Sequence, residues 1–244
     1  MRNLIYIFLA SIAFQSCKEN EQKLTIATAA NMQFAMDSLT HYFSKQTGIP
    51  CQAVIGSSGK LTAQITAGAP YDIFVAANMK YPNSLYKQGL TFNKPKVYAK
   101  GTLILWTLKD SLIPSIKYLE NREINHIALA NPDTAPYGTA AMEVLKHYQL
   151  DLKLKNKLVF GESIAQTNQF IHSEAAEIGF TSLSTIKGSE LTDKGNWLAI
   201  DTSIYKPIEQ GVVMLKNQHK DAQQFYDFLF TTEARNILNH FGYE

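Results

Sequence analysis

The chain has 244 residues, of which 45% are hydrophobic and 18% are charged, and its formal net charge at pH 7 is +2. This length and composition suit one large or two small α/β domains with a sizeable core. The near-neutral balance, with Lys and Arg scattered along the chain, excludes an extended basic surface for nucleic acid.

The first residues have the pattern of an export signal. The apolar run at 4–14 is too short to span a bilayer as a stable helix and has the length of a signal-peptide core. Gln15, Ser16 and Cys17 follow, and this junction resembles the lipobox of bacterial lipoproteins, in which the cysteine carries the lipid. We therefore predict a lipoprotein signal over residues 1–17, with Cys17 lipidated and anchoring the exported protein to a membrane on the periplasmic side. A simple secretory signal cut nearby is the alternative.

Strand and helix patterns alternate in the first half of the chain. Asn31 and Ser58 each follow a strand-like run and precede a segment of helical periodicity, which is the place of an N-cap residue. In order, the patterns predict strands at 24–30, 52–55 and 72–77, and helices at 32–47, from Ser58 onward, and at 81–88.

The second half continues the alternation. The patterns predict strands within 98–108 and at 127–130, 157–160, 177–181, 197–200 and 211–215, with helices at 114–121, from residue 136, after residue 163, at 221–230 and at 233–241. Strands that alternate with helices indicate an α/β fold of mostly parallel sheets with right-handed crossovers.

Four strand-to-helix junctions are the candidate binding positions, because ligands in open α/β sheets lie beyond the carboxyl ends of the strands. Two junctions come early and two come late, so we predict two lobes that share one cleft. The first lobe is expected at 24–100 plus 211–244 and the second at 101–210. The four junctions are Ala30-Asn31, Ser57-Ser58, Pro136-Tyr137 and Ser163-Ile164.

These junctions have the chemistry of an oxyanion site. The first turn of a helix offers free N–H groups and a partial positive charge, and Asn31 and Ser58 add neutral amide and hydroxyl donors. Four converging junctions would hold a tetrahedral dianion without a charged partner. For any single junction, an ordinary capped turn is the alternative.

Catalysis has no clear candidate in the sequence. The six histidines are dispersed, and no pair has metal-ligand spacing. Gly56-Ser57-Ser58-Gly59-Lys60-Leu61 is not a P-loop, because two residues separate its glycines where that motif needs four. We therefore expect no catalytic residue, no metal and no cofactor, and we expect the Lys60 side chain to reach solvent rather than the ligand.

From Leu24 to Tyr243 the chain resembles the molybdate-binding proteins of bacterial ABC importers. The resemblance implies a two-lobed periplasmic-binding-protein fold of type II, with the ligand cleft between the lobes, that closes on molybdate or tungstate by hinge motion. It also implies delivery to a membrane permease driven by an ATPase. The resemblance to this family is based on five stretches: Ala29-Ala30-Asn31-Met32, Gly56-Ser57-Ser58-Gly59-Lys60-Leu61, Gly68-Ala69-Pro70-Tyr71-Asp72-Ile73-Phe74, Asn131-Pro132 with Ala135-Pro136-Tyr137-Gly138, and Gly161-Glu162-Ser163-Ile164-Ala165-Gln166.

The resemblance also implies a set of oxyanion contacts, with Tyr137 and Ile164 acting through backbone N–H groups. The chain departs from the family pattern twice. Asn31 stands where many members have Ser, and Ser182 stands where many members place a Tyr hydroxyl on the anion. The predicted ligand-binding residues are Ala30, Asn31, Ser57, Ser58, Tyr137 and Ile164.

The sequence prediction is therefore a monomeric receptor for molybdate or tungstate. A sulfate or phosphate receptor of the same fold is one alternative, and Asp72 and Asp133 are the acceptors to inspect for a protonated phosphate. An enzyme acting on a small anionic metabolite would need an acid or base in the cleft. A sensory or structural lipoprotein would bind no small ligand.

Overall fold

The computed structural model describes residues 23–188, 194–216 and 219–244. The predicted signal peptide at 1–17 and the lipidation of Cys17 lie outside the described residues. Within those three ranges, no helix has the length and apolar character needed to cross a membrane.

Strands and helices alternate through both halves of the chain, within a few residues of most predicted positions. The strands are β1 (Leu24–Ala29), β2 (Cys51–Gly56), β3 (Ile73–Ala76), β4 (Lys96–Gly101), β5 (Leu103–Thr107), β6 (Ile127–Ala130), β7 (Leu158–Gly161), β8 (Ile178–Ser182), β9 (Asn196–Ala199) and β10 (Ile208–Met214). The helices are α1 (Gln33–Thr47), α2 (Ser58–Thr66), α3 (Lys80–Lys87), α4 (Pro136–His147), α5 (Ile164–His172), α6 (Leu183–Gly188), α7 (Ala222–Phe228) and α8 (Thr232–His240). Single 3₁₀ turns occupy Ala30–Met32, Lys117–Glu120 and Lys155–Lys157.

The strands form two sheets, which confirms the predicted two-lobed α/β fold. Their orders are β2-β1-β3-β10-β4 and β7-β6-β8-β5-β9. In each sheet three neighbouring strands are parallel, and the other two pairings are antiparallel. The sheets are more mixed than the prediction of mostly parallel sheets, because each contains one strand beside a lobe crossing, β10 or β5, that runs antiparallel to both of its neighbours.

Two predicted elements differ in the structure. The run at 98–108 is two strands, β4 and β5, which Thr102 separates and which lie in different sheets. The helix predicted at 114–121 is only the 3₁₀ turn Lys117–Glu120. The backbone N–H groups here reach back three residues, from Tyr118 to Ser115 and from Leu119 to Ile116, which closes a 3₁₀ turn and not an α-helix.

Each sheet is covered by helices on both faces. In the first lobe, α1 and α7 pack together through Phe43 and Phe225 on one face, and α2 buries Leu61 on the other. In the second lobe, α4 buries Val144 on one face and α5 buries Ile171 on the other. Burial of apolar surface stabilises each lobe around its own sheet.

The lobes are joined where the chain crosses from one sheet to the other. β4 leads into β5 through Thr102, and the chain returns through residues 200–207 into β10. Gly101 pairs with Ile208 at this point. The first sheet therefore includes residues 101 and 208–210, which the predicted boundaries place in the second lobe. A strand that runs on between lobes shows no break in composition, so the sequence does not mark the boundary.

Candidate oxyanion site

The N-termini of four helical segments meet between the two sheets. The 3₁₀ turn Ala30–Met32 and α2 come from the first lobe, and α4 and α5 come from the second. They enclose a small cavity, and all six residues predicted as ligand contacts line it: Ala30, Asn31, Ser57, Ser58, Tyr137 and Ile164, together with Ala29, Ala77, Ala135 and Pro136.

At the start of α2, Ser57 is the N-cap, so the prediction of Ser58 in that role is wrong. The Ser57 Oγ accepts a hydrogen bond from the Lys60 N–H at 3.3 Å. Ser58 occupies the first helical position, and its Oγ accepts from the Ala77 N–H at 3.0 Å. Since a hydroxyl has one hydrogen to give and this bond uses its oxygen as acceptor, the Ser58 hydrogen remains free to donate into the cavity. Ser58 is only 1% exposed.

Asn31 is not a helix cap either, although the sequence predicts one. It lies within the 3₁₀ turn, and its Nδ2 donates to Gln210 Oε1 and to Tyr243 Oη, both at 2.9 Å. Both amide hydrogens therefore point at protein acceptors. The backbone N–H of Asn31 stands at the start of a helical segment, where the helix supplies no acceptor. In this geometry Asn31 has a main-chain donor to offer an anion, in place of the predicted side-chain amide.

The second lobe contributes backbone donors. Pro136 at the first position of α4 has no N–H, so the first donor of that helix belongs to Tyr137. Ser163 caps α5 by accepting from the Gln166 N–H at 3.4 Å, and Ile164 follows it as the first helical residue. Both helices therefore present their first free N–H beside the cavity.

The Tyr137 hydroxyl lies toward the lobe crossing. A Cβ on Gly101 would clash with it, so a larger residue there would have to displace the Tyr137 ring. Within the described residues, this buried hydroxyl makes no hydrogen bond of acceptable geometry. Burial first, and then the neighbouring tyrosines, of which Tyr243 has the largest effect, raise the pKa of Tyr137 well above its usual value, while the Asn31 side chain acts in the opposite direction. The hydroxyl therefore stays protonated.

The lobes touch directly beside the cavity. The Gly59 N–H donates to the Thr134 carbonyl oxygen at 2.9 Å, and the Tyr81 hydroxyl donates to the Asp133 carbonyl oxygen at 3.1 Å. Both bonds join a residue of the first lobe to a residue of the second. The described arrangement is therefore a closed one.

An ion pair also spans the rim of the cleft. Lys60 Nζ lies 2.7 Å from Glu162 Oε1, and both side chains are more than half exposed. Lys60 therefore pairs with a carboxylate in solvent, and it does not line the cavity. Exposed pairs of this kind contribute little to stability.

Three polar residues singled out in the sequence do not line the cavity. Ser182 is buried beside Thr185, with 2.9 Å between their hydroxyl oxygens. The Asp72 carboxylate accepts from the Thr25 N–H at 2.7 Å, at the start of β3. Asp133 is exposed on its loop. Among the described residues, no acidic or basic side chain lines the cavity.

The cavity is small. Its volume is about 10 Å³, which on the same measure is close to the space of one water molecule. A cavity of this size has no room for a ligand as large as a sugar phosphate. A cleft of about 540 Å³ beside Lys80, Glu143 and Lys206 is larger, but neither Ser58 nor Ile164 lines it.

Sequence reasoning missed residues outside the cavity-lining set that support the site, among them Gln210 and Tyr243. Ala77, which lines the cavity, orients Ser58, while Gln210 and Tyr243 bind Asn31 from 179 and 212 residues away in the chain. No local pattern marks Gln210 within its strand. Tyr243 follows the last helix without a signal of its own, because its role depends on long-range contact.

Comparison with known proteins identifies the family. The family described as bacterial extracellular solute-binding protein matches residues 24–244. Molybdate-binding protein ModA of Azotobacter vinelandii is 36% identical over 93% of this chain and 92% of its own length. The protein of the same name from Rhodobacter capsulatus is 33% identical over 89% and 86%.

A solved structure supports the same family assignment. The periplasmic molybdate-binding protein of Azotobacter vinelandii superposes with a TM-score of 0.87 at 34% identity, covering 91% of this chain and 99% of that one. The resemblance predicted from the motifs is therefore confirmed. The chain belongs to the bacterial extracellular solute-binding protein family, in the group that includes these molybdate-binding proteins.

Proposed function

We propose that this chain is an extracytoplasmic receptor that captures molybdate or tungstate and delivers it to the permease and ATPase of an ABC importer. The observation that carries the proposal is a closed cavity for one small ligand, built from four helix N-termini and lined by no charged side chain among the described residues. Membership of the family supports it, since the relatives named above are molybdate-binding proteins.

The proposed ligand contacts are neutral donors. The Ser58 hydroxyl keeps its hydrogen free for the ligand because its oxygen accepts from the Ala77 N–H, and the Ser57 hydroxyl has the same freedom because its oxygen accepts from the Lys60 N–H. Backbone N–H groups complete the set. A bond from a neutral donor to an anion contributes about 1.5–3 kcal/mol, so several together offset the desolvation of a dianion. The backbone donors belong to Ala30, Asn31, Ser58, Tyr137 and Ile164.

The same contacts argue against the alternatives. Neither Asp72 nor Asp133 lines the cavity, so no carboxylate is present there to accept the proton of hydrogen phosphate. Sulfate has the charge of molybdate, so its rejection must depend on the smaller ion making poorer contact with the cavity wall. An enzyme would need an acid or base at the ligand. We therefore propose binding without catalysis or cofactor, by a monomer, since one chain supplies every contact.

Thermal unfolding of the chain without residues 1–17 tests the function. A ligand at 100 times its dissociation constant adds about 2.7 kcal/mol to the free energy of unfolding, which for a chain of this size raises the melting temperature by several degrees. We expect that shift with molybdate and with tungstate, and none with sulfate or phosphate at equal concentration. A shift with sulfate or phosphate instead would change the ligand, and no shift with any of the four would contradict the proposal.

We also propose that the receptor is held at the membrane by lipid on Cys17. In bacteria that express the full chain, the protein is expected in the membrane fraction, and Cys17→Ser is expected to release it or leave its signal peptide uncut. Fractionation with immunoblotting measures this. Recovery of the unsubstituted protein in the soluble periplasmic fraction would instead support a simple secretory signal.

A further inference from the structure

Asn31 is held by three separate parts of the chain. Its carbonyl oxygen lies 2.7 Å from Tyr243 Oη and 2.7 Å from Ser184 Oγ, which both donate to it. Its Nδ2 donates to Tyr243 and to Gln210. All four residues are buried. The carbonyl group and both amide hydrogens of Asn31 are thus fixed by protein partners.

The three partners come from different structural units. Gln210 belongs to β10, the strand that returns from the second lobe to the first. Tyr243 follows α8 and packs in the core of the first lobe. Ser184 belongs to α6, which follows β8 of the second lobe. The binding turn is therefore linked both to the crossing between the lobes and to the second lobe itself.

Tyr243 is at the centre of this network. Its hydroxyl accepts from the side chain of Asn31 and donates to the carbonyl of the same residue, and it lies 3.0 Å from Ser184 Oγ. Burial raises the pKa of Tyr243 above its usual value, against hydrogen bonds with Ser184 and Asn31 that lower it. The hydroxyl therefore keeps the hydrogen that it donates.

We propose that Tyr243, together with Ser184, is a positioning residue for the oxyanion site: the two hydroxyls fix Asn31 so that its backbone N–H faces the cavity when the lobes close. This inference rests on the proposed function. Neither hydroxyl lines the cavity, so both act through Asn31 and not on the anion.

Tyr243→Phe tests the inference, because it removes the hydroxyl and keeps the buried ring. Isothermal titration is expected to show molybdate binding weakened about tenfold, the size of one hydrogen bond that orients a ligand contact. Tyr98→Phe is the matched control. Tyr98 is buried in the same core, and its hydroxyl has no hydrogen-bond partner within the described residues. The affinity of the Tyr98→Phe variant for molybdate is expected to stay within about twofold of that of the wild type.

A second readout needs no ligand. In ¹⁵N spectra of the free protein, Tyr243→Phe is expected to shift the backbone and side-chain amide signals of Asn31, and Tyr98→Phe is expected to leave them in place. A general loss of packing would instead move the signals of many core residues. If Tyr243→Phe does not fold, Ser184→Ala removes the other hydroxyl on the same carbonyl and is expected to weaken binding in the same way.

The outcomes separate the two proposals. If the wild type binds molybdate and Tyr243→Phe, or Ser184→Ala in its place, binds it equally well, the positioning role is overturned and the function stands. Unchanged Asn31 signals in Tyr243→Phe would also overturn it. No binding by the wild type would overturn both the function and the positioning role.

Discussion

Ser58→Ala is expected to weaken molybdate binding by about 10- to 150-fold, which corresponds to the loss of one charge-assisted hydrogen bond. The effect should be large because the Ser58 oxygen accepts from the Ala77 N–H, which leaves its hydrogen free to donate, and because Ser58 is buried beside the cavity. The substitution also leaves the buried Ala77 N–H without an acceptor, so we expect some loss of stability. Titration calorimetry on the folded variant measures the affinity separately.

Ser163→Ala is the control for that experiment. Ser163 also begins a helix beside the site, and its Oγ accepts from the Gln166 N–H, but its side chain does not line the cavity. Loss of this cap should cost about 1 kcal/mol of stability with little change in affinity. If Ser58→Ala binds molybdate as tightly as Ser163→Ala and the wild type, Ser58 is not a ligand contact.

Gly59→Ala is expected to reduce affinity more than tenfold while leaving each lobe folded. A Cβ at this position would lie 2.9 Å from Thr134 Cα and 3.0 Å from the Thr134 carbonyl oxygen, across the cleft in the other lobe. Within α2 itself, alanine favours the helix over glycine by up to about 1 kcal/mol. The variant should therefore melt no earlier than the wild type without ligand, yet close poorly on molybdate. Small-angle scattering with and without molybdate measures the closure.

Lys60→Ala, at the neighbouring position, is the control for Gly59→Ala. It removes an exposed ion pair with Glu162 at the same rim, and such pairs are worth about 0–1 kcal/mol. We expect affinity within a few-fold of the wild type and normal compaction with ligand. Tight binding and full compaction in Gly59→Ala would show that the lobes do not need this close approach.

Most of the fold follows from local patterns in the sequence. Apolar runs such as Ile127–Ala130 and glycines such as Gly48 mark strands and helix ends within a few residues, because burial and left-handed caps are properties of neighbouring residues. The six residues predicted at the strand-to-helix junctions all line the cavity. Their direct contact with a ligand stays a prediction.

Side-chain roles at those junctions were less predictable. Ser57 and Ser58 are adjacent serines, and either side chain could cap the helix. Ser57 is the cap, because the Ser58 oxygen instead accepts from the Ala77 N–H at the end of a different strand. Asn31 has the composition of a cap, but Gln210 and Tyr243 take its amide. These assignments depend on contacts between distant parts of the chain, which periodicity and capping rules do not describe.

The absence of charged side chains among the described residues that line the cavity has a consequence for the environments in which the receptor works. Main-chain N–H groups and serine hydroxyls do not titrate between about pH 5 and 9, and the Tyr137 hydroxyl, with its raised pKa, keeps its proton throughout that range. None of these lining groups then gains or loses a proton when the anion binds or leaves. The protonation state of the anion itself decides how much of it is bindable, so the receptor would keep a constant affinity for the dianion while the acidity outside the cell varies.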